Sequence, residues 1–550
     1  MRLPFFAPSE LLEPRSSLVA RQDNSTGNST QAPPRPIEVS TSYQFDGNDG
    51  PWSTFAFRVG TPAQVVRLLV DTSGQQTKVI GPEACPGDFE AQKACSRARG
   101  YLYNKNTSST WEGVGLFQIA EQWNLPYQGN AEFGLDTVGL SWQGENGVTL
   151  DGQIVGRTPA ADFYLGLFGV NPKPTNWSYN GFNDPQPSYM STLRSQKIIP
   201  SLSYGYTAGA YYQLQGVHGS LILGGYDESL IDEPSGLSFP LNSDPYRDIV
   251  VGVSEISWGV GSNFAPLFSS PEPIYALLDG GTPHIWLPRE ACTAFEEAFN
   301  LHYDETTDLY LIDDSLHNQL IAQNPSVSFT LTNQGTTNGP VGSVNITFPY
   351  RSFDLTATAA YPGIQGNSSR YFPLRRAANS TQYTLGRTFL QESYLTVDYD
   401  RGNFSVNQRI FGSNRPQNIV PIYAPGEGPP PPPPGSTSAS SSSSLSGGAI
   451  AGITIGSIAG LALLTLLVFL LLRKRRKTAQ EAATTREMEK VDKKASPAGH
   501  ELNDTAVHEA HGDETRHEMD GDEGKKYEMA DQPKVHELPL SPVTPAELPA

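Results

Sequence analysis

Two stretches of the sequence share one pattern, in which an apolar run leads into an aspartate and a turn of small residues follows. They are Val70-Asp71-Thr72-Ser73-Gly74 and Leu277-Leu278-Asp279-Gly280-Gly281-Thr282. The pattern predicts a buried strand ending in a tight turn, where backbone N–H groups can point at the carboxylate. A single aspartate before small residues is usually only a turn, so the repeated context is what suggests a site. Two such loops facing each other would let two carboxylates share one proton, one acting as base and the other as acid.

The chain between about Ser42 and Tyr423 alternates short apolar runs with Gly, Pro, Asn and Asp turns. This texture is typical of a β-rich protein. Alternating apolar residues predict one hairpin within 55–70 and another within 394–406. Helical periodicity is rare, and its best candidate runs from Pro288 to Asn300. The sequence therefore predicts a mostly β fold.

Two further segments are alike, and each follows one acidic loop at a similar distance. They are Tyr164-Leu165-Gly166-Leu167 and Tyr383-Thr384-Leu385-Gly386. With the acidic loops, they make the chain resemble the pepsin-like aspartic peptidases, in a fungal, membrane-anchored branch, over roughly Ser42 to Gln408. The resemblance implies a bilobal domain over 41–424, with a substrate cleft between lobes at roughly 41–235 and 236–424.

The resemblance also implies roles for residues of this site. Asp71 and Asp279 would form the catalytic pair. Four residues would support it: Thr72, Gly74, Gly281 and Thr282. A flap residue should cover the pair from between Phe117 and Asp136, and the aromatic candidates there are Trp123 and Tyr127.

Both acidic loops depart from the family pattern. Ser73 stands where the family has Gly, and Gly74 stands where it usually has a hydroxyl that steadies the first aspartate. Gly280 replaces the Thr or Ser that follows the second aspartate, and Lys78 lies where a Trp is expected. Each lost hydrogen bond is expected to weaken the site. The loss near Asp71 is also expected to move the acid limb of activity to higher pH.

Two functions are compatible with these residues. The first is a membrane-anchored aspartic endopeptidase acting on proteins or peptides between about pH 2.5 and 5.5 and silent near about pH 7. The second is a catalytically impaired, peptidase-like ectodomain that binds or senses a ligand at the cell surface. The flap candidates separate the two, because the second function gains if neither Trp123 nor Tyr127 can lie over the cleft.

Residues 448–472 form a 25-residue segment without a charged side chain, and five basic residues follow it. This predicts a single transmembrane helix with the basic flank in the cytoplasm. Eight Asn-x-Ser/Thr sequons before the segment and one after it agree with that orientation. The membrane is plasma or vacuolar, and no convincing secretory signal is found. The remaining segments are a flexible arm or pro-region at 1–40, a Pro/Ser-rich stalk at 425–447, and a disordered cytoplasmic tail at 473–550 whose partner the sequence does not identify.

The three cysteines and the net charge complete the expectations. Cys85 and Cys95 bracket a short loop and are expected to form a disulfide in an exported domain, the alternative being two free thiols. Cys292 is left over and is expected to be buried on the predicted helix. A formal net charge of -19 argues against nucleic-acid binding. No metal-ligand spacing or phosphate loop is present, so neither a metal nor a cofactor is predicted.

Overall fold

The strand-and-turn texture of the sequence forms a mostly β structure. The computed structural model describes residues 33–119, 124–145, 147–177, 183–231, 237–244, 246–333, 342–412 and 415–428. These residues belong to one compact unit, Met1–Pro433, and the second unit, Pro434–Ala550, lies outside them. The predicted membrane segment and tail therefore lie outside the described residues and stay predictions. Within the described ranges, no helix is both long and apolar enough to cross a membrane.

The described strands are numbered in chain order. Those up to residue 240 are β1 Ile37–Glu38, β2 Thr41–Asp46, β3 Trp52–Val59, β4 Gln64–Asp71, β5 Thr77–Ile80, β6 Glu112–Gln118, β7 Asn130–Leu140, β8 Thr149–Thr158, β9 Gly166–Gly169, β10 Ser203–Thr207, β11 Ser220–Leu223, β12 Gly225–Asp227 and β13 Phe239–Pro240. The later ones are β14 Val250–Val260, β15 Asn263–Leu278, β16 Ile285–Leu287, β17 His302–Asp304, β18 Leu309–Ile312, β19 Ser326–Thr332, β20 Ser343–Pro349, β21 Leu355–Thr358, β22 Ser368–Phe372, β23 Leu374–Arg376, β24 Thr384–Leu385, β25 Ser393–Asp398, β26 Asn403–Gln408 and β27 Ile419–Pro421.

An eight-stranded sheet, in the order β2-β3-β4-β9-β5-β8-β7-β6, forms most of the first half. The first predicted hairpin is confirmed as β3 and β4, which pair antiparallel with Phe55 opposite Leu68. Both strands are largely buried, and each has a further neighbour, since β7 pairs with β3 and β9 pairs with β4. The strand that carries Asp71 therefore lies inside the sheet, not at its edge.

A seven-stranded sheet, in the order β20-β19-β14-β15-β24-β16-β23, repeats the local topology of the first sheet. In the first sheet β4 runs parallel to β9, β9 antiparallel to β5, and β5 parallel to β8. In the second sheet β15, β24, β16 and β23 repeat those three relations in the same order. The duplicated architecture expected from the two acidic loops is therefore present.

Gly166 and Gly386 explain why the two similar segments after the acidic loops each contain a glycine. A Cβ at Gly166 would lie 2.4 Å from the backbone oxygen of Lys78, and one at Gly386 would lie 2.4 Å from the backbone oxygen of His284. Only glycine allows backbone to approach this closely. Each glycine thus lets the strand or turn that contains it pack behind an acidic loop.

A six-stranded sheet joins the two halves, in the order β1-β11-β10-β25-β26-β13. Its centre pairs β10 from the first half with β25 from near the end of the chain. The second predicted hairpin is confirmed as β25 and β26. Two smaller sheets, β17-β18-β22-β21 and β12-β27, complete the described strands.

The described α-helices are α1 Phe89–Ala98, α2 Tyr189–Ser195, α3 Arg289–Phe299, α4 Asp314–Gln323 and α5 Arg387–Leu390. The predicted helix is confirmed as α3, which begins after Pro288 and ends at Asn300 in a left-handed conformation with φ of 54°. The other four were not predicted. Three of them begin at a side chain that accepts a hydrogen bond from a backbone N–H three residues on, namely Asp88, Ser188 and Asp313.

The cysteine predictions are confirmed. Cys85 and Cys95 form a disulfide with a Cα–Cα distance of 5.7 Å, which ties α1 to the turn before it. Cys292 is a free thiol buried on α3. Burial raises the pKa of Cys292 to about 12, so the thiol stays protonated and unreactive.

Candidate active site

The first acidic loop holds Asp71 by its backbone. Asp71 is the last residue of β4 and is fully buried. Its Oδ1 accepts hydrogen bonds from the N–H groups of Ser73 at 3.1 Å and Gly74 at 2.8 Å. Hydrogen bonds to an ionised carboxylate stabilise the charged form. The predicted supporting residue Gly74 therefore acts through its backbone.

The second acidic loop holds Asp279 in a similar way, with fewer hydrogen bonds. Asp279 directly follows β15 and is fully buried, and its Oδ1 accepts the N–H of Gly281 at 2.9 Å. A Cβ at Gly281 would lie 3.1 Å from Asp71 Oδ1 and 3.2 Å from Asp279 Oδ1. Any larger residue at this position would press on both carboxylates, so the glycine keeps the space between them free.

The hydroxyl of Ser73 links the two carboxylates. Its Oγ lies 3.1 Å from Asp71 Oδ1 and 3.2 Å from Asp279 Oδ1. The two Oδ1 atoms can be no farther apart than those two distances added together, which is well below the separation of roughly 8 Å that one water molecule could not bridge. The sequence interpretation that Asp71 lacks a steadying hydroxyl is wrong, because Ser73 supplies it from one position earlier in the loop.

Thr72 braces the two loops against each other. Its hydroxyl donates to the carbonyl oxygen of Leu278 at 2.9 Å and accepts the N–H of Gly280 at 3.0 Å. Gly280 has no hydroxyl to return the contact. The hydrogen bonds between the two loops thus come from a side chain of the first loop, and they fix the ends of β4 and β15 relative to each other.

Tyr127 lies over the second acidic loop. It belongs to the connection between β6 and β7, and its hydroxyl lies 2.8 Å from the hydroxyl of Thr282. Burial raises the pKa of Tyr127, so the phenol stays neutral. The other flap candidate, Trp123, lies outside the described residues. Of the two candidates, Tyr127 is therefore placed at the site, and the supporting residue Thr282 holds it there.

Lys78 is a site residue whose role the sequence did not reveal. Its Nζ lies 3.4 Å from Asp71 Oδ2, and the two side chains are 1% and 0% exposed. Burial lowers the pKa of Lys78, while the negative charges of Asp71 and Asp279 oppose that shift. A Trp at this position would place an aromatic ring beside the first aspartate, whereas this chain places a lysine amino group there.

The surroundings of Asp279 favour its protonated form. Burial, followed by the negative charge of Asp71, raises the pKa of Asp279 to about 8. The N–H of Gly281, the hydroxyl of Ser73 and the charge of Arg387 oppose this shift. Its second oxygen, Oδ2, is buried and has no hydrogen-bond partner among the described residues. A buried carboxyl with a raised pKa beside a second carboxyl is an arrangement suited to acid–base catalysis on one substrate.

A cavity of about 220 Å³ adjoins the second acidic loop. Both halves of the chain line it, and its wall includes Leu69, Tyr127, Gly281 and Trp286. It is large enough for a side chain of a bound peptide and mostly apolar at these positions.

His284 also lines this cavity and was not predicted. It is buried, and neither ring nitrogen has a hydrogen-bond partner in the described part of the chain. Burial, with the charges of Arg375 and Arg387, lowers the pKa of His284 well below its ordinary value. The ring is therefore neutral and contributes shape to the cavity, not charge.

In the described ranges, no group of three His, Cys, Asp or Glu side chains could hold a metal ion.

Comparison with known proteins identifies the family. The family model described as eukaryotic aspartyl protease matches residues 55–408, more than half of the chain, and the chain belongs to this family. Among solved structures, the chain is similar to the crystal structure of the aspartic proteinase from Irpex lacteus, with 17% identity and a TM-score of 0.44, over 68% of this chain and 97% of that one. A comparison with curated proteins finds no match. The family implies peptidase function, with a protein or peptide as the substrate.

Proposed function

We propose that this protein is an aspartic endopeptidase whose catalytic pair is Asp71 and Asp279. The observation that carries the proposal is the Ser73 hydroxyl, which lies 3.1 Å from one carboxylate and 3.2 Å from the other. Two buried carboxyl groups this close cannot both ionise cheaply, so they retain one proton between them. Family membership supports a peptide bond as the bond that is cleaved.

The single proton divides the chemistry between the two aspartates. Asp71, the ionised member, takes a proton from a water molecule, and the oxygen of that water adds to the peptide carbonyl carbon. Asp279, the protonated member, gives its proton to the carbonyl oxygen. In the second step Asp71 passes its proton to the leaving nitrogen while Asp279 recovers one from the tetrahedral intermediate. The C–N bond then breaks, and the pair returns to its starting state.

The neighbouring residues support this chemistry by holding the pair in place. Gly74 and Gly281 donate backbone hydrogen bonds to the two Oδ1 atoms, and Thr72 fixes one loop against the other. Tyr127, bonded to Thr282, limits the access of bulk water to the pair from above. A dry, fixed site strengthens the electrostatic interactions that stabilise the transition state.

The position of Tyr127 favours the peptidase over the alternative of a ligand-binding ectodomain without catalysis. That alternative gains support if neither flap candidate can lie over the cleft. A position of Tyr127 over the cleft is supported by its hydroxyl, which reaches Thr282 in the second acidic loop. The hydroxyl that Ser73 brings to the pair supports the peptidase as well.

The endopeptidase proposal predicts a particular pattern of products. The purified full chain, incubated with a denatured protein at about pH 4, should release internal fragments whose new termini lie throughout the substrate. The new termini can be mapped by mass spectrometry. Release of residues from the chain ends alone would contradict an endopeptidase, even if hydrolysis were rapid.

Anchoring in a membrane through 448–472 forms the second part of the proposal, with the peptidase domain outside and the tail in the cytoplasm. The uncharged segment and its basic flank support this orientation. Most asparagines of the described sequons are exposed, as glycosylation requires: Asn106, Asn176, Asn345, Asn367 and Asn379. The fungal, membrane-anchored branch and a plasma-membrane or vacuolar location belong to this proposal.

Protease protection tests the orientation. An external protease added to intact cells should digest the peptidase domain and spare an epitope placed in the tail. Permeabilised cells, in which the tail epitope should be lost, provide the control. Digestion of the tail with protection of the peptidase domain would reverse the orientation.

A further inference from the structure

The backbone of Lys78 is fixed by two neighbouring strands. Lys78 lies in β5, where it pairs with Gly156 of β8 on one side and with Leu167 of β9 on the other. All four residues of β5 are buried. A lysine in the middle of a sheet, without access to water, can keep its ammonium charge only if a partner compensates it. Among the described residues Asp71 supplies such compensation, because its Oδ2 lies 3.4 Å from Nζ.

The contacts of the two aspartates are unequal. Asp71 receives backbone N–H groups from Ser73 and Gly74 at Oδ1 and the Lys78 ammonium at Oδ2. Asp279 receives one backbone N–H, from Gly281, and its Oδ2 has no hydrogen-bond partner in the described ranges. The Ser73 hydroxyl is shared between both. The surroundings thus favour negative charge on Asp71 and the proton on Asp279.

Other ionisable groups face the pair from neighbouring elements, but none of them distinguishes Asp71 as Lys78 does. Arg387 donates to the backbone oxygens of Gly280 and Gly281 and acts on Asp279. Arg247 also interacts with Asp279. Two tyrosines of β10, Tyr204 and Tyr206, lie near the pair, and burial holds both in the neutral form.

We propose that Lys78 is a positioning residue of this site: it fixes the ionised state on Asp71, leaves the shared proton to Asp279 and so sets the pH range of the single-proton form. The proposal rests on the peptidase function above. Lys78 departs from the family pattern, in which an aromatic ring occupies this position, and the proposal gives its cation a function at the site. The role is indirect, since Lys78 acts through Asp71 and not on the substrate.

The expected direction follows from the sign of the charge. A cation beside Asp71 opposes its protonation at low pH, so it extends activity toward acid. The same cation favours loss of the proton from Asp279 at high pH, so it also lowers the alkaline end of the range. Removal of the cation should therefore move both limbs of the pH profile upward, by about one to three pH units for a neighbour at this distance.

The test is the pH profile of kcat/KM for the full chain and for Lys78→Met, which keeps the length of the side chain and removes its charge. Both limbs should move to higher pH. The matched control is Lys105→Met, which removes a lysine ion-paired with Glu132, away from the catalytic pair, and should leave the profile in place. A Lys78→Met profile that is lower at every pH with unmoved limbs would show a merely structural role and overturn the proposal.

A second measurement needs no active variant. Isotope-labelled carboxyl carbons of the full chain can be followed by NMR through an acid titration, with Asp71→Asn and Asp279→Asn assigning the two signals. Asp71 should be the carboxyl that stays ionised to the lower pH, and a reversed order would overturn the proposal even if Lys78→Met does not fold. Absence of cleavage by the unmodified chain would instead contradict the peptidase function, and the titration order would still test whether the ionised state lies on Asp71.

Discussion

Replacing either Asp71 or Asp279 with asparagine should lower kcat for protein cleavage by about 10²–10⁴-fold, the range typical for loss of a general acid or base. The physical reason is that each carboxyl transfers a proton in both halves of the reaction, whereas the amide of asparagine can serve as neither the acid nor the base. Asparagine has nearly the same shape, so folding should be retained. The measurement is the cleavage rate of a denatured protein by the full chain and by each variant at equal concentration.

Two controls make this comparison specific. Asp151→Asn makes the same change at an exposed aspartate of β8 and should leave the rate unchanged. The double variant Asp71→Asn/Asp279→Asn should be no slower than the single variants, because residues that act as a unit are not additive. Activity in the double variant equal to that of the unmodified chain would mean that the peptidase activity comes from elsewhere.

Cleavage activity should extend to about pH 7 and fall near pH 8, because burial and the charge of Asp71 raise the pKa of Asp279 to about 8. This revises the expectation from the sequence alone, which placed cleavage between about pH 2.5 and 5.5 and silence near about pH 7. Because the pKa of this carboxyl is raised, the catalytic proton stays on Asp279 as the pH rises. The proton is lost only when the pH passes the raised pKa.

The rate of cleavage by the full chain, measured from about pH 2.5 to about pH 9, checks this expectation. At about pH 7 the rate should remain at least about a tenth of its maximum. Irreversible unfolding must be separated from titration, so enzyme held at each pH is returned to about pH 5 and assayed again. A reversible loss of activity complete by about pH 6 would contradict the proposed location of the proton.

Much of the architecture could be predicted from the sequence, because the information lies in local patterns that repeat. Two apolar runs that end in Asp and small residues predict two strands with a turn at the same place, and β4 and β15 end there. Gly166 and Gly386 mark close backbone contacts that only glycine permits. Helix α3 shows its apolar face in Ala291, Phe295 and Phe299.

Other features depend on the direction of a side chain in three dimensions, which a motif does not record. When the first acidic loop is compared with the family pattern position by position, Gly74 stands where a hydroxyl is expected, and the hydroxyl is counted as lost. The turn nevertheless brings the Ser73 hydroxyl to both carboxylates. Lys78 is seven residues beyond Asp71, and the pairing of β5 with β8 and β9 fixes it where its Nζ lies near that carboxylate. The short helices α1, α2 and α4 lack a long periodic face, although their N-terminal Asp or Ser caps could have indicated them.

The most direct test of the central claim is hydrolysis of a denatured protein in water enriched in heavy oxygen, by the full chain and by the double variant Asp71→Asn/Asp279→Asn. If the two aspartates activate a water molecule, the unmodified chain should produce new carboxyl termini that each carry one heavy oxygen atom, and the double variant should produce none above background. The account would be contradicted if the unmodified chain cleaved no faster than the double variant at every pH between about 2.5 and 8.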